Sequence, residues 1–418
     1  MVFSRRRFLL SAGIAGLGLA GLGVWRMWPE QGVLNPCLGE LPPQLAGHPL
    51  VREAFAGLDS AQVWDAHVHL LGVGDGGDAA GAAFNDGHGG RRWPLAAAQR
   101  WFFLNAACIA AADPVDRAYM AGLRGLVEAL PAGHKLLLLA LDAWYDENGR
   151  AMPDRTYLFI GNDYCLAAAR SAPERFEWAA SVHPYRSDAL AELRRVKLLG
   201  ARALKWLPSA QGIDPASPRC DRFYQELARL RLPLIAHAGE ERAMPGDDRL
   251  GNPLKLRRAL EHGVKVIVAH CASMGTSPDL DRGSEQGPAT DNFALFERMM
   301  DQPAYDGRLF GDLSALTQSA RAGTPLKRVL ARAREGGDWA KRLLNGSDYP
   351  LPAIMPLYSP RQLAESGYLD AALIEPLTAI RRHHPLLFDF VLKRHLRLGG
   401  KPLATSVFET RRVLAGGG

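Results

Sequence analysis

Short apolar runs that end in a polar side chain recur along the chain and define its predicted architecture. The run that opens this series ends in Asp65-Ala66-His67-Val68-His69, and later runs follow at intervals long enough for a helix. Continuous apolar runs of this length are typical of strands that are buried on both faces of a parallel sheet. We predict eight strands: one ending at His69, then 135–142, 176–182, 201–205, 232–237, 264–270, 308–314 and 343–348.

Helical periodicity fills the intervals between these runs. One helix is predicted to start at Ser187 and to stop at Gly200, and two others span 222–230 and 253–262. Alternation of strands and helices without an antiparallel hairpin signal predicts an α/β fold in which a parallel sheet closes into a (β/α)8 barrel. The sequence from about residue 351 onward is helical, which predicts extra C-terminal helices that cover the outside of the barrel.

A glycine-rich stretch follows the first strand. Residues 72–90 contain too much Gly, Ala and Asp for a regular element and predict a long loop. Residues 72–77 match the pattern G-x-G-x-x-G of dinucleotide sites, but that pattern requires a helix directly afterwards. More glycines follow instead, and this disfavours a dinucleotide site.

The N-terminus differs in kind from the rest of the chain. The segment Arg5-Arg6-Arg7-Phe8-Leu9 resembles the twin-arginine export signal, and a Gly/Ala-rich apolar stretch follows it. Residues 1–28 are therefore predicted to be a signal or anchor, with cleavage and membrane anchoring through residues 8–25 both open. We expect the protein in the periplasm or at the periplasmic face of the inner membrane. Residues 29–60 are predicted to be a proline-rich linker, and 61–418 the barrel domain.

Composition narrows the possible partners. The chain has 418 residues, 22% of them charged, and a formal net charge of +6. No basic run interleaved with aromatic residues is present, so nucleic acid is not expected as a partner, whereas a small molecule is. The five cysteines are scattered, which does not predict a disulfide framework. Nothing in the sequence indicates the oligomeric state.

The polar residues at the predicted strand ends form a candidate metal site. Because a strand alternates its faces, Asp65, His67 and His69 are expected on one face and Trp64, Ala66 and Val68 on the other. Active sites of such barrels lie at the C-terminal ends of the strands, and several imidazoles with a carboxylate suit a catalytic ion. The strand-end residues are His67, His69, Asp142, His183, Lys205, His237, His270, Ser314 and Asp348.

These residues make the chain similar to the amidohydrolase superfamily of metal-dependent hydrolases. The resemblance rests on residues 65–69, on Leu234-Ile235-Ala236-His237-Ala238-Gly239, on Val266-Ile267-Val268-Ala269-His270 and on Asn345-Gly346-Ser347-Asp348-Tyr349-Pro350. It covers roughly residues 61–395, and the last motif looks like the branch that holds aminocarboxymuconate semialdehyde decarboxylase. The resemblance implies a distorted TIM barrel and a divalent ion, expected to be zinc, with His67, His69, His237 and Asp348 as ligands.

The chemistry expected of such a site is metal-assisted hydrolysis. A divalent ion lowers the pKa of bound water from 15.7 to roughly 7. Asp348 is placed to ligate the ion or to accept the proton of the water. The resemblance implies that His270 polarises a substrate carbonyl or orients the water. Asp65 is expected to support a ligand histidine.

Lys205 leaves the number of ions open. In binuclear members of the superfamily a carbamylated lysine on the fourth strand bridges two metals, and His237 and His270 would then serve the second ion. One ion is expected here, with Lys205 either binding a carboxylate or phosphate of the substrate or serving structure. Further predicted substrate contacts are Trp206, His183 and Glu240.

The sequence therefore predicts an exported metal-dependent hydrolase that acts on a small-molecule amide, ester or lactone. Two alternatives stay open at this point. The same ligands suit non-oxidative decarboxylation of an aromatic or unsaturated acid, and a barrel that only binds a ligand at the cell envelope is the alternative without catalysis.

Overall fold

Eight parallel strands form one sheet in which each strand pairs with the next along the chain. The computed structural model describes residues 31–76, 81–85 and 96–415, so the predicted signal segment lies outside the described residues. All eight predicted strands are present. Their bounds are β1 Trp64–His69, β2 Lys135–Leu139, β3 Phe176–Ala180, β4 Ala203–Trp206, β5 Leu234–His237, β6 Val266–Ala269, β7 Leu309–Asp312 and β8 Leu343–Leu344.

Hydrogen bonds between β1 and the segment that follows β8 close the sheet into a barrel. The backbone N–H of Ala66 donates to Asn345, at 3.0 Å, and that of Asp348 donates to His67, at 2.8 Å. A parallel bridge joins Val68 to Tyr349. The first and last strand ends are thereby brought side by side, which is the arrangement that a metal site shared between them requires.

Side chains of alternate strand positions form two separate apolar layers. An inner cluster contains one residue or more from every strand, and its other buried members in the described residues are Val413 and Leu414, as expected for a barrel interior. The outer cluster joins the other strand faces to the surrounding helices. The inner layer comprises Trp64, Ala66, Leu137, Leu139, Ala179, Ala203, Ile235, Ile267, Phe310 and Leu344, closed at one end by Val413 and Leu414.

The first strand departs from the regular alternation that we predicted. Ala66 belongs to the inner cluster but Val68 to the outer one, and the register of β1 against β2 shifts between Asp65 and Val68. An irregularity of this kind re-aims the side chains on either side of it. The expectation that Asp65, His67 and His69 share one face while Ala66 and Val68 share the other is therefore wrong in detail.

Helices surround the barrel and extend beyond its last strand, as predicted. In the described part of the chain no helix is long and apolar enough to cross a membrane. The helices are α1 Pro43–Ala46, α2 Pro49–Phe55, α3 Ala96–Ala106, α4 Val115–Glu128, α5 Asn162–Arg170, α6 Ala189–Leu198, α7 Pro208–Gln211, α8 Asp221–Arg229, α9 Arg257–Glu261, α10 Asn292–Met300, α11 Thr324–Arg332, α12 Pro360–Glu365, α13 Ile374–His383, α14 Pro385–His395 and α15 Arg411–Leu414.

Short antiparallel strand pairs interrupt the connections, which the sequence did not signal. The predicted glycine-rich loop contains the strand Ala82–Phe84, which pairs with Leu158–Ile160. The other two pairs are Thr276–Pro278 with Ala289–Asp291 and Arg397–Leu398 with Lys401–Pro402.

The segment before the barrel is more structured than the predicted linker. It contains the short helices α1 and α2, and Leu50, Val51 and Ala54 of α2 are buried. A disulfide joins Cys37 to Cys108, with a Cα–Cα distance of 5.6 Å. The prediction that the scattered cysteines form no disulfide framework is thus wrong for this pair. The two cysteines are 71 positions apart in sequence, and only the fold brings them close enough to pair.

Candidate metal centre

Three side-chain atoms converge at the C-terminal end of the barrel. Nε2 of His67 lies 3.2 Å from Nε2 of His69, and Oδ1 of Asp348 lies 3.6 and 3.1 Å from these two nitrogens. In a tetrahedral zinc site, ligands at about 2.0–2.1 Å from the ion are separated by roughly 3.3–3.4 Å from one another. The three atoms therefore fit the ligand set of a divalent ion.

Asp312 at the end of β7 orients the first of these imidazoles. Its Oδ2 lies 2.9 Å from Nδ1 of His67, so Nδ1 carries the proton and Nε2 presents its lone pair. The hydroxyl of Ser314 donates to the same carboxylate. His67, His270 and Asp312 also form a compact group. Their side chains are already linked by hydrogen bonds through Asp312 and Ser314, so this group supports the ligands rather than binding an ion itself.

Asp348 is held as a carboxylate. Burial acts to raise its pKa, but the nearby His270 and the hydrogen bond from His69 outweigh burial and hold the pKa well below its usual range. Asp348 has a left-handed backbone conformation, with φ of 62°, and its N–H donates to the carbonyl of His67. The charged group that a metal ligand or proton acceptor needs is thus present at neutral pH.

The imidazole of His69 is neutral at neutral pH. Burial lowers its pKa to about 4, although the hydrogen bond to Asp348 acts in the opposite direction. A histidine must be unprotonated to bind a metal, so this shift preserves the ligand down to mildly acidic pH.

His237 at the end of β5 lies in the same buried group of rings. Its centroid is 5.1 Å from that of His270, and burial lowers its pKa well below the usual value. Nε2 of His237 is buried, lies 3.4 Å from Oε2 of Glu241 and makes no hydrogen bond within the described residues. A buried nitrogen without a partner fits a further ligand position, and the role of His237 as a ligand stays a prediction.

His270 presents an acceptor nitrogen. Its Nδ1 lies 3.0 Å from the backbone oxygen of Ser314, which only accepts, so the proton resides on Nδ1. Burial lowers the pKa of His270 to about 3, which leaves the ring neutral and Nε2 unprotonated. Of the two roles that the resemblance implies, orientation of water fits this tautomer, because polarising a carbonyl requires a donor.

Lys205 on β4 points into the same group. Its Nζ lies 2.9 Å from Nε2 of His67, the side chain is fully buried, and burial lowers the pKa of the ammonium to about 8. An ammonium at this position repels a divalent ion bound by His67. With a pKa near 8 the ammonium still predominates at neutral pH, which suits contact with a substrate anion, whereas the neutral amine that a carbamate requires predominates only above pH 8.

Helix α14, outside the barrel, contacts the segment that carries Asp348 and fixes its backbone. Nζ of Lys393 on α14 donates to the carbonyl of Gly346 and to Asp389, each at 2.6 Å. Asp65 accepts from the backbone N–H groups of His67 and Ser347, at 3.1 and 2.8 Å. Asp65 was expected to support a ligand imidazole, but that contact belongs to Asp312, and Asp65 fixes the backbone instead.

The other residues predicted to contact substrate, His183, Trp206 and Glu240, are engaged in contacts elsewhere in the protein. His183 has both ring nitrogens engaged, with Tyr185 and with Gln211. Trp206 is fully buried against Phe223 on α8, so its position gives a substrate contact no support. Glu240 pairs with the exposed Arg242 at 2.9 Å.

Two acidic residues at the centre, Asp312 and Glu241, were not predicted from the sequence. Asp312 ends β7 and lies two positions before Ser314, so the periodicity of the strand predicted at 308–314 placed both on one face. Glu241 follows His237 by four residues and is the acid that faces it. Burial raises the pKa of Glu241 to about 7, whereas Glu240 lies at the surface. Nothing in the sequence distinguished Glu241 from its neighbour.

Comparisons with known proteins identify the family of the chain. The chain is similar to three solved structures: an uncharacterized TIM-barrel protein from Bordetella bronchiseptica (15% identity, 77% of this chain and 94% of that one, TM-score 0.44), a proposed 2-pyrone-4,6-dicarboxylic acid hydrolase from Pseudomonas putida (17%, 78% and 97%, 0.39) and 2,6-dihydroxybenzoate decarboxylase from Rhizobium (16%, 85% and 98%, 0.41). No curated protein matches. The family model described as amidohydrolase matches residues 64–353, which include the strand ends from His67 to Asp348. The chain therefore belongs to the amidohydrolase family of enzymes.

Proposed function

We propose that the protein is a hydrolase with one zinc ion that cleaves an amide, ester or lactone bond in a small molecule. The observation that carries the proposal is the convergence of His67, His69 and Asp348, with their ligand atoms 3.1–3.6 Å apart. The unpartnered Nε2 of His237 supplies a further donor. A zinc ion held by three protein atoms keeps its fourth position for water or substrate, and one held by four accepts a further ligand by expanding to five-coordination.

Asp348, His270 and Asp312 have separate roles in the proposed hydrolysis. When bound, a divalent ion supplies Lewis-acid chemistry, which lowers the pKa of water to roughly 7. Asp348 is ionised at neutral pH and accepts the proton of the attacking water, then delivers it to the leaving group. His270 accepts a hydrogen bond from the water at Nε2 and thereby orients it. Asp312 keeps His67 in the tautomer that leaves its Nε2 free.

Metal content and hydrolysis of simple substrates test this proposal. We expect about one zinc per chain, hydrolysis of phenyl acetate or dihydrocoumarin by the purified protein, and loss of both metal and activity in His67→Ala. His262→Ala is the matched control, because this half-buried imidazole pairs with Asp221 on α8. Release of carbon dioxide from aromatic acids without hydrolysis of any ester or lactone would assign decarboxylation instead. A protein that binds no metal, and whose stability is unchanged by His67→Ala, would be the envelope-binding barrel.

We further propose that the protein is exported by the twin-arginine route. The support is the segment Arg5-Arg6-Arg7-Phe8-Leu9 together with the disulfide between Cys37 and Cys108, since disulfides persist in oxidising compartments. In cell fractionation, the full-length chain should appear in the periplasm or on the membrane. The double variant Arg5→Lys/Arg6→Lys should stay in the cytoplasm, and equal export of both chains would contradict the proposal.

A further inference from the structure

A buried guanidinium beside the metal centre lacks an anionic partner. Arg321 lies in the connection between β7 and α11, and only 8% of its surface is exposed. Its Nη1 donates to the hydroxyl of Ser273 at 3.0 Å, while Nε is buried and makes no hydrogen bond to any residue that the structure describes. No carboxylate in the described ranges lies within ion-pair distance of Arg321. A buried charge without a counter-ion is costly, so a group of this kind indicates a missing partner.

A second buried arginine shows what a structural guanidinium looks like in this protein. Arg381 on α13 is fully buried, but it donates to the backbone oxygens of Pro352, Ile354, Met355 and Tyr358. Its donors are satisfied by carbonyls, and it fixes the chain segment that they belong to. The Nε–H of Arg321 has no such acceptor in the described part of the chain.

Arg321 lies close to the candidate metal centre. Its hydrogen-bond partner Ser273 follows His270 by three residues, and the N–H of Ser273 donates to the carbonyl of His270 at 3.0 Å. The charges of Asp348 and Glu241 act on the Arg321 guanidinium across the site, which partly offsets the cost of its burial. The guanidinium thus stands on the β6–β7 side of the cluster formed by His67, His69 and Asp348.

We propose that Arg321 binds an oxyanion group of the substrate, a carboxylate or a phosphate, and so selects anionic substrates for the site. The planar fork of a guanidinium matches the paired oxygens of such groups, and a charge-assisted hydrogen bond in a buried site is stronger than a neutral one. Bound in this way, the anion holds the scissile part of the molecule toward Asp348 and His270. This inference rests on the proposed function, because it assigns the substrate class of the same site.

Titration of matched aromatic ligands tests the proposal without requiring turnover. Benzoate, phenylphosphate and benzamide are titrated calorimetrically into the wild-type protein and into Arg321→Met, each with zinc and after treatment with EDTA. The metal-free arm excludes binding of the anion to the ion itself. We expect benzoate or phenylphosphate to bind at least about tenfold more weakly to Arg321→Met in both arms, with benzamide unchanged. Which of the two anions loses more affinity identifies carboxylate or phosphate as the preferred group.

Two further variants keep the test decisive. Arg242→Met is the matched control, because Arg242 is an exposed arginine near the same site that already pairs with Glu240, and its anion affinity should equal that of wild type. If Arg321→Met does not fold, Arg321→Lys decides. It keeps the charge but loses the fork, and should still weaken anion binding by about threefold or more.

The failures of the two proposals are distinguishable. Equal affinity of wild type and the Arg321 variants for both anions, or no anion binding by the wild type, overturns the role of Arg321 even if esters are hydrolysed. Anion binding that depends on Arg321, in a protein that releases carbon dioxide and hydrolyses nothing, overturns the hydrolase proposal and leaves the anion site intact.

Discussion

At the scale of single residues, burial and neighbouring imidazoles together set the protonation states of Asp348, His69 and His270. Low dielectric surroundings disfavour charge, so His69 and His270 are neutral, whereas Asp348 is held ionised by the imidazoles around it. Asp312 is likewise held as a carboxylate: burial acts to raise its pKa, and the contact with His67 outweighs that effect. Neutral donors around a fixed anion are what a divalent cation requires.

Asp312→Asn should weaken metal binding without removing a ligand. The amide holds Nδ1–H of His67 less strongly than the carboxylate does and no longer raises the basicity of Nε2, so zinc affinity should fall by about 10–100-fold. Competition with a chromogenic chelator measures this affinity. Asp306→Asn is the control, because that carboxylate is exposed and pairs with Arg342. Equal zinc affinity of Asp312→Asn and wild type would contradict the support role of Asp312.

Lys205→Met should stabilise the metal-free protein at neutral pH. The folded pKa of Lys205 is lowered to about 8 from 10.5, so the folded state disfavours the ammonium by an amount on the order of 3 kcal/mol. This penalty is fully present below pH 8 and is lost as the pH rises toward 10.5, because the folded protein releases this proton before the unfolded chain does. The advantage of the variant in free energy of unfolding should therefore shrink between pH 8 and 10.

Urea unfolding of the EDTA-treated proteins at several pH values measures this difference. Lys341→Met, at an exposed position, is the control and should show no such trend. An advantage of Lys205→Met that is constant from pH 7 to 10 would show that the effect has another origin than the buried charge.

At the scale of elements, a helix outside the barrel positions the segment that carries Asp348. Lys393 on α14 reaches the carbonyl of Gly346, and Asp389 one turn earlier neutralises its charge, with both side chains about 1% exposed. Asp65 on β1 holds Ser347 from the other side. The backbone between Gly346 and Asp348 is thus fixed between two elements that are distant in sequence.

Lys393→Met should therefore destabilise the fold by about 3 kcal/mol, because it leaves Asp389 buried without its partner. Burial raises the pKa of Asp389 to about 7, so protonation relieves this cost at low pH and the loss should be greater at pH 8 than at pH 6. The double variant Lys393→Met/Asp389→Leu should recover most of the lost stability. Chemical denaturation of wild type and the two variants measures the free energies of unfolding. An unchanged free energy of unfolding in Lys393→Met would show that the pair contributes nothing to stability.

At the scale of the whole molecule, the barrel is joined to chain segments that precede and follow it. α2 packs on α14, and the disulfide fastens the segment around Cys37 to the end of α3. The free cysteines of the described residues, which are Cys165, Cys220 and Cys271, are all buried. The oxidised protein should therefore expose no thiol while it is folded.

Reduction of the disulfide should lower the free energy of unfolding by roughly 2–4 kcal/mol. The bridge joins residues 71 positions apart, and without it the unfolded chain gains conformational entropy. Urea unfolding with and without dithiothreitol measures this, and thiol titration of the folded protein should rise from none to two upon reduction. In Cys37→Ser/Cys108→Ser the reductant should have no effect. Equal stability of the oxidised and reduced wild type would contradict the role of the bridge.

The sequence by itself determined the eight strands and their order, and it singled out His67, His69 and Asp348, which the structure brings together as a candidate metal site. Each strand is a local apolar run, and the polar residue that ends it, such as His237 or Asp348, must lie at the same edge of a parallel barrel. The helices predicted at 187–200, 222–230 and 253–262, and those beyond residue 351, followed from local periodicity in the same way. These features depend on neighbours along the chain, which the sequence displays directly.

Only the tertiary structure decided how the centre is tuned. The shifted register of β1 re-aims the side chains around His67, and Asp312 rather than Asp65 supports that ring from 245 residues away. The unpaired guanidinium of Arg321 likewise depends on where β6 and β7 place their connections. Contacts between residues far apart in sequence, and the burial that shifts their pKa values, exist only once the barrel is closed.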